Sequence, residues 1–199
     1  MIMLSETIRK GIHISSLVIP FSYRYLIGFE DRKLMFLLLL AGFILALIIE
    51  FSRFTRRSFR RVFFFLFHLI LRRHEHRDFT GATYLMFSSM ICVAFFRPDI
   101  AFAACAFLSI GDTMAAVIGM NFGKRKFYNH KSLEGSLACF VSAFAFGLFF
   151  LDNPWLALGG SLSATIAELV NISVDDNVKI PIISGIVMTI MTIILRGFV

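Results

Sequence analysis

Charge is scarce in this chain of 199 residues: Asp, Glu, Lys and Arg make up 17% of it, against about a quarter in an ordinary water-soluble domain. Cysteine is scarcer. Cys92, Cys105 and Cys139 each sit inside an apolar run, with no C-x-x-C and no even-numbered framework. They read as small hydrophobic side chains, neither disulfide partners nor zinc ligands. The G-x-x-x-x-G-K-[ST] spacing of a Walker A loop is missing. So is a small-residue cleavage site after the first apolar stretch, which therefore reads as a retained span and not a signal peptide.

Hydrophobic residues fill the space. They account for 58% of the chain, with 25 phenylalanines and a mean hydropathy of +0.80. A short chain keeps a large fraction of its surface exposed, so one water-facing globule cannot hide this much apolar area. A soluble globular enzyme and a disordered protein are both excluded. A polytopic, all-α integral membrane protein remains, one transmembrane catalytic domain over 1–199 with a basic interfacial segment at about 52–78.

Segments long enough to cross a bilayer, about 20 residues each, fall at Ile12–Ile27, Leu34–Phe51, Thr80–Phe96, Ile100–Phe122, Leu133–Leu151, Trp155–Ile172 and Ile180–Leu195. That is about seven spans. The apolar stretch Val62–Leu71 is too short and predicts an interfacial helix. Fifteen of the 20 Lys and Arg residues fall on one face if the spans alternate, and Arg24, Arg32, Lys33, Arg97 and Arg196 on the other. The positive-inside rule then places the N-terminus in the cytoplasm and the C-terminus outside. The net charge of +7 is accounted for by these flanks and by anionic lipid heads, without nucleic acid. A plasma membrane is expected for a prokaryotic chain and the endoplasmic reticulum for a eukaryotic one. A homo-oligomer is compatible with either.

The remaining charges are costly inside a membrane and mark function by default. Asp112 lies deep in the fourth span, and Gly119 and Gly123 after it form a G-x-x-x-G that admits a neighbouring helix. A protonated Asp112 in an interhelix hydrogen bond is the plainer alternative. Lys124, Arg125 and Lys126, then His130, Lys131, Ser132 and Glu134, put cations and free N–H groups at helix ends, which suits phosphate. An ordinary positive-inside loop explains the first three equally well. Glu168 leads into Asp175-Asp176-Asn177, hard oxygen ligands suited to Mg²⁺ on phosphates, or else a solvated turn. Arg9, Lys10 and His13 open the chain, and Glu50 precedes Arg53 by one helical turn. His74 and His76 fall on different helix faces and do not make a zinc pair. His68, alone in an apolar stretch, reads as interfacial packing.

These clusters together resemble a known family. R-K-x-x-H at Arg9, E-x-x-R at Glu50, E-x-x-x-x-x-G-A-T-Y at Glu75, G-D-x-x-A-x-x-x-G-x-x-x-G-K from Gly111, K-S-x-E-G-S at Lys131 and D-D-N-x-x-I-P at Asp175 are similar to the pattern of the CTP-dependent lipid-alcohol kinases. These are dolichol kinase, phytol kinase and the CTP-using diacylglycerol kinase. The resemblance runs from Arg9 to about Gly185, with a more distant likeness to CDP-diacylglycerol synthases. It implies a Mg²⁺-dependent membrane kinase that transfers the terminal phosphate of CTP to a lipid alcohol on the cytoplasmic side. Asp112, Asp175 and Asp176, with Asn177, would hold Mg²⁺. Lys124, Lys131 and Ser132, Gly119 and Gly123, Arg53, Arg9, Lys10 and His13 would bind the nucleotide. Glu168, Glu134 or Asp112 would orient or deprotonate the hydroxyl, and the lipid chain would enter between the spans. A cytidylyltransferase acting on phosphatidic acid is the nearest alternative. A small ion-coupled transporter using Asp112, Glu168 and His13 is the second.

Overall fold

The computed structural model describes residues 2–72, 74–128, 131–170 and 172–197. Arg73 and His130 lie outside the described residues. The chain is a helical membrane protein with one small hairpin.

The first segment is helical but broken. Helix α1 (Ile2–Ser15) gives way to α2 (Val18–Ser22) and then to a π-helical turn, Tyr23–Ile27. Pro20 causes the break. It has no N–H for the carbonyl of Ser16, and the amide of Ile19 takes that carbonyl instead at 3.0 Å. The turn ends at Gly28, whose φ of +82° is the left-handed region that glycine enters without penalty.

Helix α3 (Arg32–Thr55) starts where Asp31 accepts a hydrogen bond from the amide of Leu34. Helix α4 (Arg57–Phe67) follows with no buried residue along its length. Its exposed arginines, Arg57, Arg60 and Arg61, alternate with exposed Phe59, Val62, Phe65 and Leu66, the composition of a helix lying in a membrane interface. It begins five residues before the short apolar stretch predicted there. Its start is drawn back over the arginines, which a helix accepts freely.

Helices α5 (Gly81–Phe95), α6 (Pro98–Phe122), α7 (Leu133–Phe150), α8 (Pro154–Leu169) and α9 (Asp176–Gly197) complete the bundle, with strands β1 (Lys126–Tyr128) and β2 (Lys131–Ser132) paired antiparallel before α7. Pro98 and Pro154 occupy first-turn positions, where their missing N–H costs nothing. Four described helices, α3, α6, α7 and α9, are long and apolar enough to cross a membrane; α5 is a shorter apolar helix.

Helix α6 is the centre, packed against α1, α5, α7, α8 and α9. Phe102, Phe107 and Leu108 on it are wholly enclosed. Glycine sets its spacing from α7: a Cβ on Gly135 would stand 2.7 Å from the carbonyl oxygen of Ala115 and 3.2 Å from the Cα of Gly119. Only hydrogen fits there, the close approach expected of small residues between membrane helices. Exposed Leu37, Leu38, Ile44, Leu45 and Ile48 on α3 face outward, as lipid contact requires.

Candidate active site

The charges scattered through the sequence meet at one end of the bundle. Lys10 on α1 reaches Asp112 on α6: its Nζ lies 2.5 Å from Oδ2 and 3.1 Å from the Asp112 carbonyl. Both side chains are more than nine-tenths buried. A lone charge there would carry a desolvation cost of several kcal/mol, and the pairing offsets it. One turn beyond Lys10, His13 donates from Nε2 to Oδ1 of Asn177 on α9 at 2.6 Å, and the same nitrogen stands 3.7 Å from Asp112 Oδ2. Just past the end of α1 the chain is tied to α6 by the Ser16–Ser109 hydroxyl pair at 2.7 Å. Three helices thus bring Lys10, His13, Asp112 and Asn177 together.

Asn177 is held by a second device. Pro181 lies inside α9 and cannot donate to the carbonyl four residues before it. That carbonyl belongs to Asn177, and the hydroxyl of Ser88 on α5 donates to it at 2.6 Å. The Asn177 amide donates to Asp175 Oδ1 at 2.9 Å. The side-chain amide is therefore presented to His13 by a backbone fastened at both ends.

Lys131 and Glu168 form the neighbouring pair, Nζ to Oε1 at 2.6 Å, with a further bond from Nζ to the Glu168 carbonyl. Ser132 is buried and caps α7 by accepting from the amide of Gly135 at 3.1 Å. Gly119 and Gly123 pack against Ser132, at the α6–α7 contact. Glu134 accepts from the amide of Arg125 at 3.4 Å. Lys124 is exposed on the loop before β1.

Arg9 pairs with Glu6 on its own helix, Nε to Oε2 at 3.0 Å. Burial pushes the Glu6 carboxyl up, but the hydrogen bond and charge of Arg9 outweigh it and hold the group below the ordinary range. Asp175 faces Arg72 at 3.6 Å, and Asp176 pairs with Lys179 at 2.8 Å. Among the described residues no three of His, Cys, Asp or Glu gather where one ion could be held. Magnesium ordinarily takes one or two carboxylates plus substrate phosphates and keeps its waters. Asp175 and Asp176 supply two adjacent carboxylates, each paired here with a cation, Arg72 and Lys179 respectively.

Arg53 sits elsewhere. It is wholly enclosed, bonded to Glu50 through Nε at 2.8 Å and through Nη2, and to the carbonyls of Glu75 and Asp78. Glu50 in turn accepts from the Thr80 amide at 2.8 Å and the Thr83 hydroxyl at 3.2 Å. Glu75 accepts from the amides of Arg72 at 2.7 Å and Gly81 at 2.9 Å. From the sequence Glu50 reads only as a pairing partner of Arg53, and Glu75, Arg72 and Lys179 are not among the candidate site residues. The motifs that begin at Glu50 and Glu75 carry the signal for these two carboxylates.

A cavity of about 310 Å³ lies between α1, α3, α4 and α5. Its walls include Ala46, Phe63, Phe67, Ile70 and Leu85, and it reaches His13 and Asn177 at the charged end.

Sequence comparison agrees with the motifs. The chain is 29% identical over 163 residues to CTP-dependent diacylglycerol kinase 1 of Schizosaccharomyces pombe, covering 72% of this chain and 75% of that protein. It is 26% identical over 211 residues to the protein of the same name in Saccharomyces cerevisiae, covering 92% and 72%. A probable chloroplastic phytol kinase of Triticum aestivum is 32% identical over 127 residues, covering 54% and 42%. No family model matches the chain. No solved structure matches it. By its motifs and by these relatives, the sequence is related to the CTP-dependent lipid kinases.

Proposed function

We propose that this protein transfers the terminal phosphate of CTP to the hydroxyl of a lipid alcohol, at the end of the bundle where Lys10, His13, Asp112 and Asn177 meet. That buried quartet carries the proposal. Ionised groups inside an apolar bundle are retained where chemistry needs them, and these four come from three helices. The names of the relatives supply the donor and the reaction class. We further propose seven membrane crossings, with the charged end and the N-terminus on the cytoplasmic side, where CTP is found.

Phosphoryl transfer asks mainly for positioning and charge neutralisation. The acceptor oxygen forms a bond to the γ-phosphorus while the bond from that phosphorus to the β–γ bridging oxygen breaks, and CDP leaves. The hydroxyl proton passes to the carboxylate of Asp112, which Lys10 holds in place. Lys131, partly exposed beside Glu168, and Lys124 and Arg9 at the mouth meet the phosphate oxygens. Glu168 holds Lys131, and Glu134 steadies the start of α7. Gly119, Gly123 and Ser132 act by letting α6 and α7 close up behind the phosphates. Arg53 acts at a distance by fixing the 75–80 segment. Bound Mg²⁺, held by Asp175 and Asp176 and the nucleotide, would supply further neutralisation of phosphate charge.

The test is purified protein in nanodiscs with γ-³²P-labelled CTP and a panel of diacylglycerol, polyprenol and phytol, with and without Mg²⁺. Label in the lipid supports the kinase. Label released as pyrophosphate with phosphatidic acid as acceptor would replace it with a cytidylyltransferase. Ion flux in liposomes without any nucleotide would point to a transporter.

A further inference from the structure

The cavity between α1, α3, α4 and α5 differs from an ordinary crevice between membrane helices. A crevice filled by bulk lipid needs only apolar walls. This one is apolar along Ala46, Phe63, Phe67, Ile70 and Leu85, yet its lining also takes in Arg9, Arg72, Glu50 and Glu75 and reaches His13 and Asn177, which share a hydrogen bond of 2.6 Å. His13 stands 3.7 Å from Asp112. The polar end of the cavity is therefore continuous with the quartet. A ligand filling it would lay an apolar body along the helices and set a polar head against His13 and Asn177.

The outer wall is also unusual. Helix α4 buries none of its residues, carries exposed arginines, and turns Phe63 and Phe67 to the cavity while Phe65 and Leu66 face outward. A basic amphipathic helix of this kind lies among lipid headgroups. The wall nearest the lipid is thus a single interfacial helix.

We propose that this cavity is the acceptor site: an amphiphile with one free hydroxyl binds with its hydroxyl at His13 and Asn177 and its hydrocarbon between α3, α4 and α5, entering past α4. This rests on the kinase proposal above and places the lipid chain on the side of the bundle away from α7 and α8. His13 and Asn177 are groups that touch the acceptor; Ala46 and Leu85 shape its chain site.

The site can be tested without turnover. The full-length protein in nanodiscs is photolabelled, in the absence of CTP, with a diacylglycerol carrying a diazirine in one acyl chain, and the labelled peptides are mapped. The expected result is label within 46–85, reduced by excess diacylglycerol and not by its O-acetylated analogue. Label on α7 or α8, or equal competition by the acetylated analogue, would overturn the site, the latter showing bulk lipid only. Ala46→Phe on α3 and Leu85→Trp on α5 are each expected to raise the acceptor KM about tenfold, equivalent to about 1.4 kcal/mol, with the KM for CTP unchanged. An unchanged acceptor KM in a variant that still binds CTP would also overturn it. If the wild-type protein labels within 46–85 but transfers no phosphate, the kinase proposal fails and the site stands. If it transfers phosphate but labels α7 or α8, only the site fails.

Discussion

The ammonium of Lys10 and the carboxylate of Asp112 are 102 positions apart in the chain and 2.5 Å apart in space. The pair fastens α1 to the central helix and at the same time places a charge couple in the interior. Removing one partner strands the other.

Asp112→Asn is expected to abolish phosphate transfer and to lower stability by about 3–5 kcal/mol, the usual cost of leaving a buried charge unpaired. Replacing both partners with apolar residues, Lys10→Met with Asp112→Leu, should recover most of the stability and none of the activity. Thermal unfolding in detergent and a labelled-CTP assay check the two together. Activity in the double variant would remove the pair from the chemistry.

Ser88→Ala leaves the Asn177 carbonyl without the hydroxyl that replaces its missing helical donor. A loss of about 1–3 kcal/mol is expected, with reduced turnover as Asn177 shifts from His13. Adding Pro181→Ala restores a backbone N–H to the same carbonyl and should recover stability. Were Ser88→Ala just as destabilising on the Pro181→Ala background, the hydroxyl's role would lie elsewhere.

Arg53→Met should act on structure before chemistry. It strands Glu50 and releases the carbonyls of Glu75 and Asp78, a loss of about 3–5 kcal/mol. Limited proteolysis should then cut between 72 and 80, and the acceptor KM should rise more than the KM for CTP. A selective rise in the KM for CTP, with the segment still protected, would return Arg53 to the nucleotide.

Gly135→Ala adds a methyl group 2.7 Å from a backbone oxygen. That oxygen belongs to Ala115 on the central helix and cannot swing away. A loss of about 1–3 kcal/mol is expected from overpacking, read as a lower Tm by circular dichroism. An unchanged Tm would mean that α6 and α7 separate without cost.

Much of the site was legible because the membrane makes charge conspicuous. Asp112, Glu168, Lys131 and the Asp175–Asn177 run stood out against apolar surroundings, and Gly119 announced the close helix contact. Partnership was not legible. No local period links Lys10 to Asp112 or His13 to Asn177, since such pairs are decided by how helices pack. Arg53 illustrates the limit. Its spacing from Glu50 showed the ion pair, but the carbonyls of Glu75 and Asp78 that complete its shell lie beyond a turn whose path no spacing encodes. The break after Ser15 was legible in principle, through Pro20, but apolar length alone reads the region as one span.

Helix α3 is buried over only 17% of its most apolar window. In water such a helix would be driven onto its neighbours. In a bilayer, lipid solvates its outer face as well as protein would, and the hydrophobic effect does not choose between the two. At the charged end α3 is then tied down by the bonds that Glu50 accepts from Thr80 and Thr83 and that Arg53 donates to the carbonyls of Glu75 and Asp78, a polar latch on a helix otherwise at home in lipid. Docking of α3 at that end is therefore governed by a few hydrogen bonds and not by apolar area.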